Sequence, residues 1–343
     1  MTANFNRFNA LVKLGEYLRN TDFNQKEYFE LKTNIDKAQA ANGWFTEENI
    51  HKSLSAWGKI LTEEAISRWI KPHSFSSQSQ PKIIALILAG NIPLVGFHDL
   101  VSVWISGHQA LVKCASKDEY LIPVLAKFLE NEAGEKGFQF TQSSLSDYDA
   151  VIATGSNNSS RYFEHYFSKY PHIIRKNRNG VAVLNGSESK SDLKKLGKDI
   201  LQYFGLGCRN ISKLYVPKGY DLDLIFGGLY EQAEVIQHSK YANNYDYNKA
   251  VYLMSEYEFL ENGFLLLKED AAFSAPIACL YYEFYADLED LELELKKHSE
   301  QIQCIVSNAS IPNTISFGKA QEPELDDYAD GVNTLYFLEN LNS

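Results

Sequence analysis

The sequence is poor in cysteine, in long apolar runs and in positive charge, and each shortage excludes a class of protein. Its four cysteines form no CxxC pair and no zinc-type spacing, so we expect reduced thiols and no metal site. No apolar run reaches the ~18 residues that a membrane-spanning helix requires. The formal net charge of -11 disfavours nucleic-acid binding, which needs a basic face. Residues 1–20 are amphipathic and polar, unlike a signal peptide, so we predict a cytoplasmic protein.

The chain begins with helical patterns and continues with alternating strand and helix patterns. Apolar residues recur at helical spacing through residues 1–73, and a break rich in serine and glutamine follows at 71–82. Short apolar runs typical of buried parallel strands then alternate with helical segments. These runs lie at 82–90, 109–115, 148–155, 180–186, 212–219, 276–285 and 302–308. The alternation predicts an open α/β sheet, and 343 residues suggest about two domains.

Two glycine-containing segments follow predicted strands, where open α/β sheets bind ligands near helix N-termini. They are LAGNIPL (88–94) and IATGSNNSSRYF (152–163). Gly155 and Ser156 would let backbone amides approach a phosphate, but glycine and serine also serve simply to cap helices. The residues by themselves leave both roles open.

Taken in order, the segments resemble the aldehyde dehydrogenase superfamily. AGNIPL is similar to its Asn-x-Pro segment, and QALVKCASKD is similar to its strand ending in a cofactor-binding lysine. ATGSNNSSR resembles its Gly-Ser cofactor turn, and FGLGCRNISKLYVP resembles the segment that holds its catalytic cysteine. NGWFTEENI (42–50) and FGKAQEPELDDYADGVNTLYFL (317–338) resemble the narrower LuxC-type fatty acyl-CoA reductase family. The resemblance covers roughly residues 40–340.

The resemblance implies roles for individual residues. Cys208 matches the nucleophile, and Asn91 matches the side-chain half of the oxyanion hole, which the backbone N–H of Cys208 would complete. Lys113 matches the lysine on the adenosine ribose, and Gly155–Ser156 matches the turn near the pyrophosphate.

Two further positions bear on the cofactor. Ser116, followed by Lys117, stands where the superfamily places an acid on the adenosine ribose, which implies NADPH, with NADH possible if Asp118 turns toward the ribose. Glu269 lies roughly where the superfamily places a glutamate on the nicotinamide ribose, and Asp270 is an equally good candidate.

The sequence departs from hydrolytic aldehyde dehydrogenases at their general base. Where those enzymes carry a glutamate, this chain reads IIRKNRNGVAV (173–183), without an acid. Hydrolysis of the enzyme's thioester needs a base that activates water, whereas exchange with a thiol such as coenzyme A does not. The resemblance therefore implies thioester chemistry.

Cys208 could be reactive, whereas the other cysteines and the histidines are expected to be structural. Cys208 follows GLG and can begin a helix, whose dipole would lower the pKa of the thiol; the alternative is a buried cysteine that acts as a small apolar residue. Cys114, Cys279 and Cys304 lie within apolar runs typical of a core. His98 and His108 have no partner at metal-ligand spacing, so we predict capping or packing roles.

We therefore predict an α/β, aldehyde-dehydrogenase-like fold. A Rossmann-type cofactor domain with N-terminal helices would span 1–180, with a return segment at about 305–343, and a second α/β catalytic domain would span 181–304.

The predicted function is an NADPH-dependent acyl-CoA reductase that forms an aldehyde through a cysteine acyl-enzyme. The alternatives are a short-chain acylating aldehyde dehydrogenase, an acyl-phosphate reductase, or a non-catalytic nucleotide-binding or assembly protein. The expected partners are acyl-CoA or another acyl thioester and a second copy of the chain in a homo-oligomer. Acyl chain length and the carrier of the thioester are left open.

Overall fold

The computed structural model describes residues 2–75 and 80–342. The chain divides into two compact units, Met1–Lys176 with Glu324–Ser343, and Asn177–Pro323. Part of the predicted break at 71–82, residues 76–79, lies outside the described residues. No helix within the described ranges is long and apolar enough to cross a membrane.

The α-helices of the described residues are α1 (Thr2–Arg19), α2 (Phe29–Ala41), α3 (Glu47–Ile60), α4 (Glu63–Ile70), α5 (Phe97–Ile105), α6 (Leu121–Ala133), α7 (Asn157–Phe167), α8 (Lys190–Leu201), α9 (Asp223–Leu229), α10 (Ser239–Met254), α11 (Leu288–Lys297) and α12 (Thr334–Glu339). Short 3₁₀ segments lie at Lys26–Tyr28, Gln202–Gly205, Tyr230–Gln237, Ala329–Gly331 and Asn340–Asn342.

The strands are β1 (Ile83–Ile87), β2 (Gln109–Lys113), β3 (Phe138–Phe140), β4 (Ala150–Thr154), β5 (His172–Arg175), β6 (Asn179–Val183), β7 (Ile211–Pro217), β8 (Leu260–Glu261), β9 (Leu266–Glu269), β10 (Cys279–Tyr285) and β11 (Ile302–Ser307). All seven predicted strands are confirmed, as β1, β2, β4, β6, β7, β10 and β11.

The first unit begins with α1–α4, as the helical pattern of residues 1–73 predicts. Threonine caps start two of these helices: Thr46 Oγ1 accepts the N–H of Asn49 at 3.2 Å, and Thr62 Oγ1 accepts the N–H of Ala65 at 3.1 Å. Such caps satisfy N–H groups that have no partner within the helix.

The sheet of the first unit has the order β3-β2-β1-β4-β5, and every neighbouring pair is parallel. The middles of β1, β2 and β4 are buried, which explains their continuous apolar sequences. On one face, Ala85, Val151 and Ala153 pack with Phe163 and Phe167 of α7. The alternate side chains of the same strands join a core with α1–α6, so helices cover both faces of the sheet.

The sheet of the second unit has the order β11-β6-β7-β10-β9-β8, parallel except for the antiparallel β8–β9 pair. On one face, Val181, Val183 and Tyr215 pack against Leu291 and Leu295 of α11. This is a second α/β unit, as predicted.

The return of the chain to the first unit begins at Glu324, not at about 305 as predicted. The physical reason is that β11 pairs with β6 and that Gly318 and Ala320 donate to Asp199 of α8, so this stretch packs within the second unit.

A buried ion pair holds the returning segment within the first unit. Arg175 Nη2 lies 2.6 Å from Asp99 Oδ1 and 2.9 Å from Thr334 Oγ1, and Arg175 Nη1 donates to the carbonyl of Ala329 at 2.7 Å. The guanidinium therefore ties β5, α5 and the C-terminal segment together.

Candidate active site

The first unit brings its predicted site residues to one edge of its sheet. Asn91 lies in the loop after β1, Lys113 is the last residue of β2, and Gly155 and Ser156 join β4 to α7. Because β2, β1 and β4 are parallel neighbours, their carboxyl ends meet at this edge. Ser116 lies in the loop that leaves β2, and ligands of open α/β sheets bind at such edges.

The turn between β4 and α7 needs glycine for close packing. A Cβ on Gly155 would lie 2.8 Å from Ser159 Cβ and 2.8 Å from Phe163 Cε2. Ser156 caps α7, and its Oγ accepts the N–H of Ser159 at 3.3 Å. The capping role is thus observed, and the positive end of the α7 dipole lies at the same edge as Lys113.

The loop after β2 presents serine and lysine outward and aspartate inward. Ser116 and Lys117 are exposed, whereas Asp118 is only 1% exposed. Asp118 Oδ2 accepts the N–H of Leu94 at 3.2 Å, and burial raises the pKa of its carboxyl to about 7. Asp118 therefore braces the loop that carries Asn91 and does not face the solvent.

Cys208 lies in a tight turn that leads directly into β7. The N–H of Asn210 donates to the carbonyl of Gly207 at 3.0 Å, and Asn210 Oδ1 accepts the N–H of Gly207 at 2.8 Å. The predicted helix start at Cys208 is wrong, because Asn210 closes this turn and an extended strand follows at Ile211. Cys208 itself is half-buried.

The chain reaches this turn through three left-handed residues, Tyr203 (φ 54°), Phe204 (φ 60°) and Gly205 (φ 74°). Two of them carry side chains, which rarely adopt positive φ. Such strain costs free energy, persists only where the surroundings impose it, and clusters at functional sites. Phe204 packs on His238, with ring centroids 4.3 Å apart, which helps to hold this conformation.

Asn210 ties the turn to the end of α8. Its Nδ2 donates to the carbonyls of Asp199 at 3.1 Å, Ile200 at 3.2 Å and Gln202 at 2.8 Å. Sequence reasoning did not single out Asn210, although an asparagine before a β-branched strand is a recognisable turn signal. The result is a thiol on a fixed, partly exposed backbone turn.

The other three cysteines lie in or against the cores of the two units. Burial raises the pKa of the Cys114 thiol to about 12 and that of the Cys279 thiol to about 11, so both stay protonated near neutral pH. Cys304 is buried, and its Sγ lies 3.7 Å from the carbonyl oxygen of Arg209.

Glu269 and Asp270 differ in their environment. Asp270 contacts Lys268 Nζ and accepts the N–H of Ala272 at 2.9 Å; burial opposes its ionisation, but these two contacts hold its pKa below the ordinary value. Glu269 is exposed at the end of β9. β10 lies between β9 and β7, so the sheet does not place Glu269 beside the strand that follows Cys208.

The two histidines pack and cap, as predicted. His98 Nε2 donates to the carbonyl of Leu325 at 2.8 Å, and His108 Nε2 donates to the carbonyl of Leu338 at 3.1 Å. Burial lowers the pKa of both imidazoles. Among the described residues, no group of three His, Cys, Asp or Glu side chains is arranged to hold a metal ion.

Comparison with known proteins gives one distant sequence relative and many structural ones. No family model matches the chain. A long-chain acyl-protein thioester reductase of Aliivibrio fischeri is 21% identical over 298 residues, which cover 76% of this chain and 60% of the relative. The chain thus matches less than two thirds of that relative's length.

Solved aldehyde dehydrogenases share the fold. Aldehyde dehydrogenase 21 of Physcomitrella patens, in complex with succinate, has a TM-score of 0.63 at 12% identity and covers 98% of this chain and 88% of its own. An aldehyde dehydrogenase of Mycobacterium tuberculosis, in complex with NAD+, has a TM-score of 0.64 at 12% identity and covers 90% and 74%. The chain has the aldehyde dehydrogenase fold, and its similarity to a LuxC-type reductase is confirmed.

Proposed function

We propose that this chain is an oxidoreductase that reduces an acyl thioester to an aldehyde through an acyl-enzyme on Cys208. The observation that carries the proposal is the Cys208 turn. It holds a half-buried thiol just before β7. The left-handed residues Tyr203 and Phe204 lead into this turn, and the Asn210 side chain ties it to the end of α8. Such fixed placement supports a nucleophilic role, because reaction needs the attacking atom held in position.

The first half of the reaction follows from thiol chemistry. The Cys208 thiolate attacks the carbonyl carbon of the substrate thioester, the carbon–sulfur bond to the carrier breaks, and the carrier leaves as a thiol after taking up a proton. Since residues 173–183 contain no acid, no glutamate there activates water against the new thioester. The acyl-enzyme is therefore expected to persist until it is reduced or returned to a thiol.

Both tetrahedral species on Cys208 carry an oxyanion. We propose the Asn91 side-chain amide and the backbone N–H of Cys208 as its donors; the role of Asn91 rests on the family resemblance. Asn91→Ala is expected to slow acylation and reduction by roughly 100- to 1000-fold, the usual cost of losing one oxyanion donor.

A nicotinamide cofactor fits the carboxyl edge of the first sheet. Ser156 caps the N-terminus of α7 there, and Lys113 is the last residue of β2 at the same edge, which suits a pyrophosphate and a ribose. When bound, such a cofactor supplies the hydride that reduces the acyl group. The resulting hemithioacetal releases the aldehyde and regenerates the Cys208 thiolate.

We propose NADPH as the preferred form of this cofactor. Ser116 and Lys117 are exposed where an acid would favour NADH, while Asp118 is buried and accepts the N–H of Leu94. This arrangement leaves a hydroxyl and a cation, rather than a carboxylate, for the 2′ position of the ribose.

Two related activities share this machinery, namely acylating dehydrogenation of short acyl groups and reduction of an acyl phosphate. The alternative of another class is a nucleotide-binding or assembly protein without catalysis. We also propose that the chain forms a homo-oligomer and works in the reducing environment of the cytoplasm. Light scattering of the purified chain would measure the oligomeric state.

The test is NADPH oxidation by the purified chain over a series of acyl-CoA substrates of increasing length and an acyl phosphate, repeated with NADH at equal concentration. We expect aldehyde formation, a faster rate with NADPH, and no reaction for Cys208→Ala. A faster rate with NADH would overturn the cofactor proposal. A folded wild-type chain that turns over none of these substrates would favour the non-catalytic alternative.

A further inference from the structure

Asp199, near the end of α8, is a buried carboxylate that binds a distant segment of the chain. It is 1% exposed, and its two oxygens accept the N–H groups of Gly318 at 2.6 Å and Ala320 at 3.0 Å. Burial raises the pKa of this carboxyl to about 6, and the two backbone hydrogen bonds oppose that rise. Asp199 therefore fixes residues 318–320 against α8.

Both residues that follow Cys208 are tied to this same place. Arg209 Nε donates to the carbonyl of Ala320 at 2.6 Å, and Asn210 Nδ2 donates to the main-chain carbonyl of Asp199 at 3.1 Å. The Asp199 carboxylate thus holds Ala320, which accepts from Arg209, and the Asp199 main chain accepts from Asn210, which closes the turn.

The chemistry of the contact requires a carboxylate. The N–H groups of Gly318 and Ala320, with one residue between them, each need an acceptor. A carboxylate offers two oxygens, whereas an asparagine side chain offers one oxygen and an NH₂ group. Burying a charge costs free energy unless its oxygens are hydrogen-bonded. Both oxygens of Asp199 are hydrogen-bonded in this way.

We propose that Asp199 is a positioning residue for Cys208, an inference that rests on the proposed function. Asp199 acts through the Gly318–Ala320 segment, which holds Arg209 and so fixes the turn. A reacting atom that shifts by about 1 Å from its productive position can lower a rate by about 100-fold, so the loss of this support should appear in the acylation rate.

The experiment compares Asp199→Asn with Ser307→Ala as a matched control. Ser307 is also buried in the second unit, where its Oγ donates to the carbonyl of Val183 at 2.7 Å and accepts the N–H of Ala309 at 2.9 Å, neither of which belongs to the Cys208 turn. Three quantities are measured: the acylation rate at saturating acyl-CoA without reduced cofactor, the half-saturating concentration, and the alkylation rate of Cys208 by iodoacetamide, located by peptide mapping.

For Asp199→Asn we expect acylation to slow at least about tenfold, with half-saturation changed by less than about twofold, because geometry rather than binding is lost. The alkylation rate should differ from the wild type, and Ser307→Ala should keep wild-type rates despite a similar fall in Tm. Equal acylation rates in the two variants would overturn the proposal.

If Asp199→Asn does not fold, Arg209→Lys serves as a second variant, because it keeps the charge but loses the planar donor to Ala320. Acylation of Arg209→Lys should slow in the same way but less, and wild-type acylation in that variant would count against the proposal.

The alkylation arm separates this inference from the proposed function. A wild-type chain that forms no acyl adduct on Cys208 contradicts the proposed function, yet iodoacetamide still reports the environment of the thiol. Equal alkylation rates in wild type and Asp199→Asn would then overturn the role of Asp199 by themselves.

Discussion

Replacing Asp118 with asparagine should change how the stability of the first unit depends on pH. In the native chain this carboxyl is 1% exposed, and its Oδ2 accepts the N–H of Leu94. Burial raises its pKa from 3.8 to about 7. The native state thus keeps a proton that the unfolded chain loses at much lower pH.

The magnitude and sign follow from proton linkage. A native pKa of about 7 against 3.8 corresponds to on the order of 4 kcal/mol. Because the native pKa is raised, this stabilisation is fully present below about pH 4 and is lost as the pH rises to about 7. Asp118→Asn cannot titrate, so its free energy of unfolding relative to the wild type should rise by up to about 4 kcal/mol over this range.

Urea unfolding followed by tryptophan fluorescence measures this difference. The four tryptophans all lie in the first unit, at positions 44, 57, 69 and 104, so the signal reports the unit that contains Asp118. Asp36→Asn, at a largely exposed position of α2, controls for an aspartate substitution at the surface. A difference between Asp118→Asn and the wild type that stays constant or falls with rising pH would show that the pKa of Asp118 is not raised in the native state.

Two further predictions concern the packing of the first unit. Gly155→Ala places a Cβ 2.8 Å from Phe163 and should lower the free energy of unfolding by about 1–3 kcal/mol in urea titrations followed by far-UV circular dichroism, which reports both units. Gly227→Ala in the second unit, whose Cβ meets open space, should not lower it, and equal effects would contradict the packing argument. Arg175→Met leaves the buried Asp99 without its ion-pair partner and should cost about 3–5 kcal/mol, most of which Asp99→Leu should restore in the double variant. A double variant as unstable as the single one would refute the second prediction.

Much of the fold could be predicted because its strands are short, apolar and buried. β1, β2 and β4 each have a buried middle, which leaves a continuous apolar run in the sequence. The strands β3, β5, β8 and β9 were not predicted. β3 and β8 are short and largely exposed, so the periodic pattern that would reveal them is missing.

The candidate site was predictable where motif and topology coincide. Asn91, Lys113 and Gly155 follow neighbouring strands, and the parallel sheet brings them to one edge. The support of the Cys208 turn was not predictable, because Asp199 meets Gly318 and Ala320 only through tertiary packing. In the sequence, nothing distinguishes Asp199 from the other acidic residues of amphipathic helices. Its burial and its contacts with Gly318 and Ala320 are visible only in the structure.

The proposed function requires that Cys208 form the acyl-enzyme. The chain is incubated with acyl-CoA in the absence of reduced cofactor, its intact mass is measured, and peptide mapping locates any adduct. We expect one acyl group on Cys208 that persists until NADPH discharges it as aldehyde, far slower acylation of Cys208→Ser because a hydroxyl is much less ionised than a thiol, and none of Cys208→Ala. An adduct on Cys114, Cys279 or Cys304, or full activity of Cys208→Ala, would show that Cys208 is not the nucleophile.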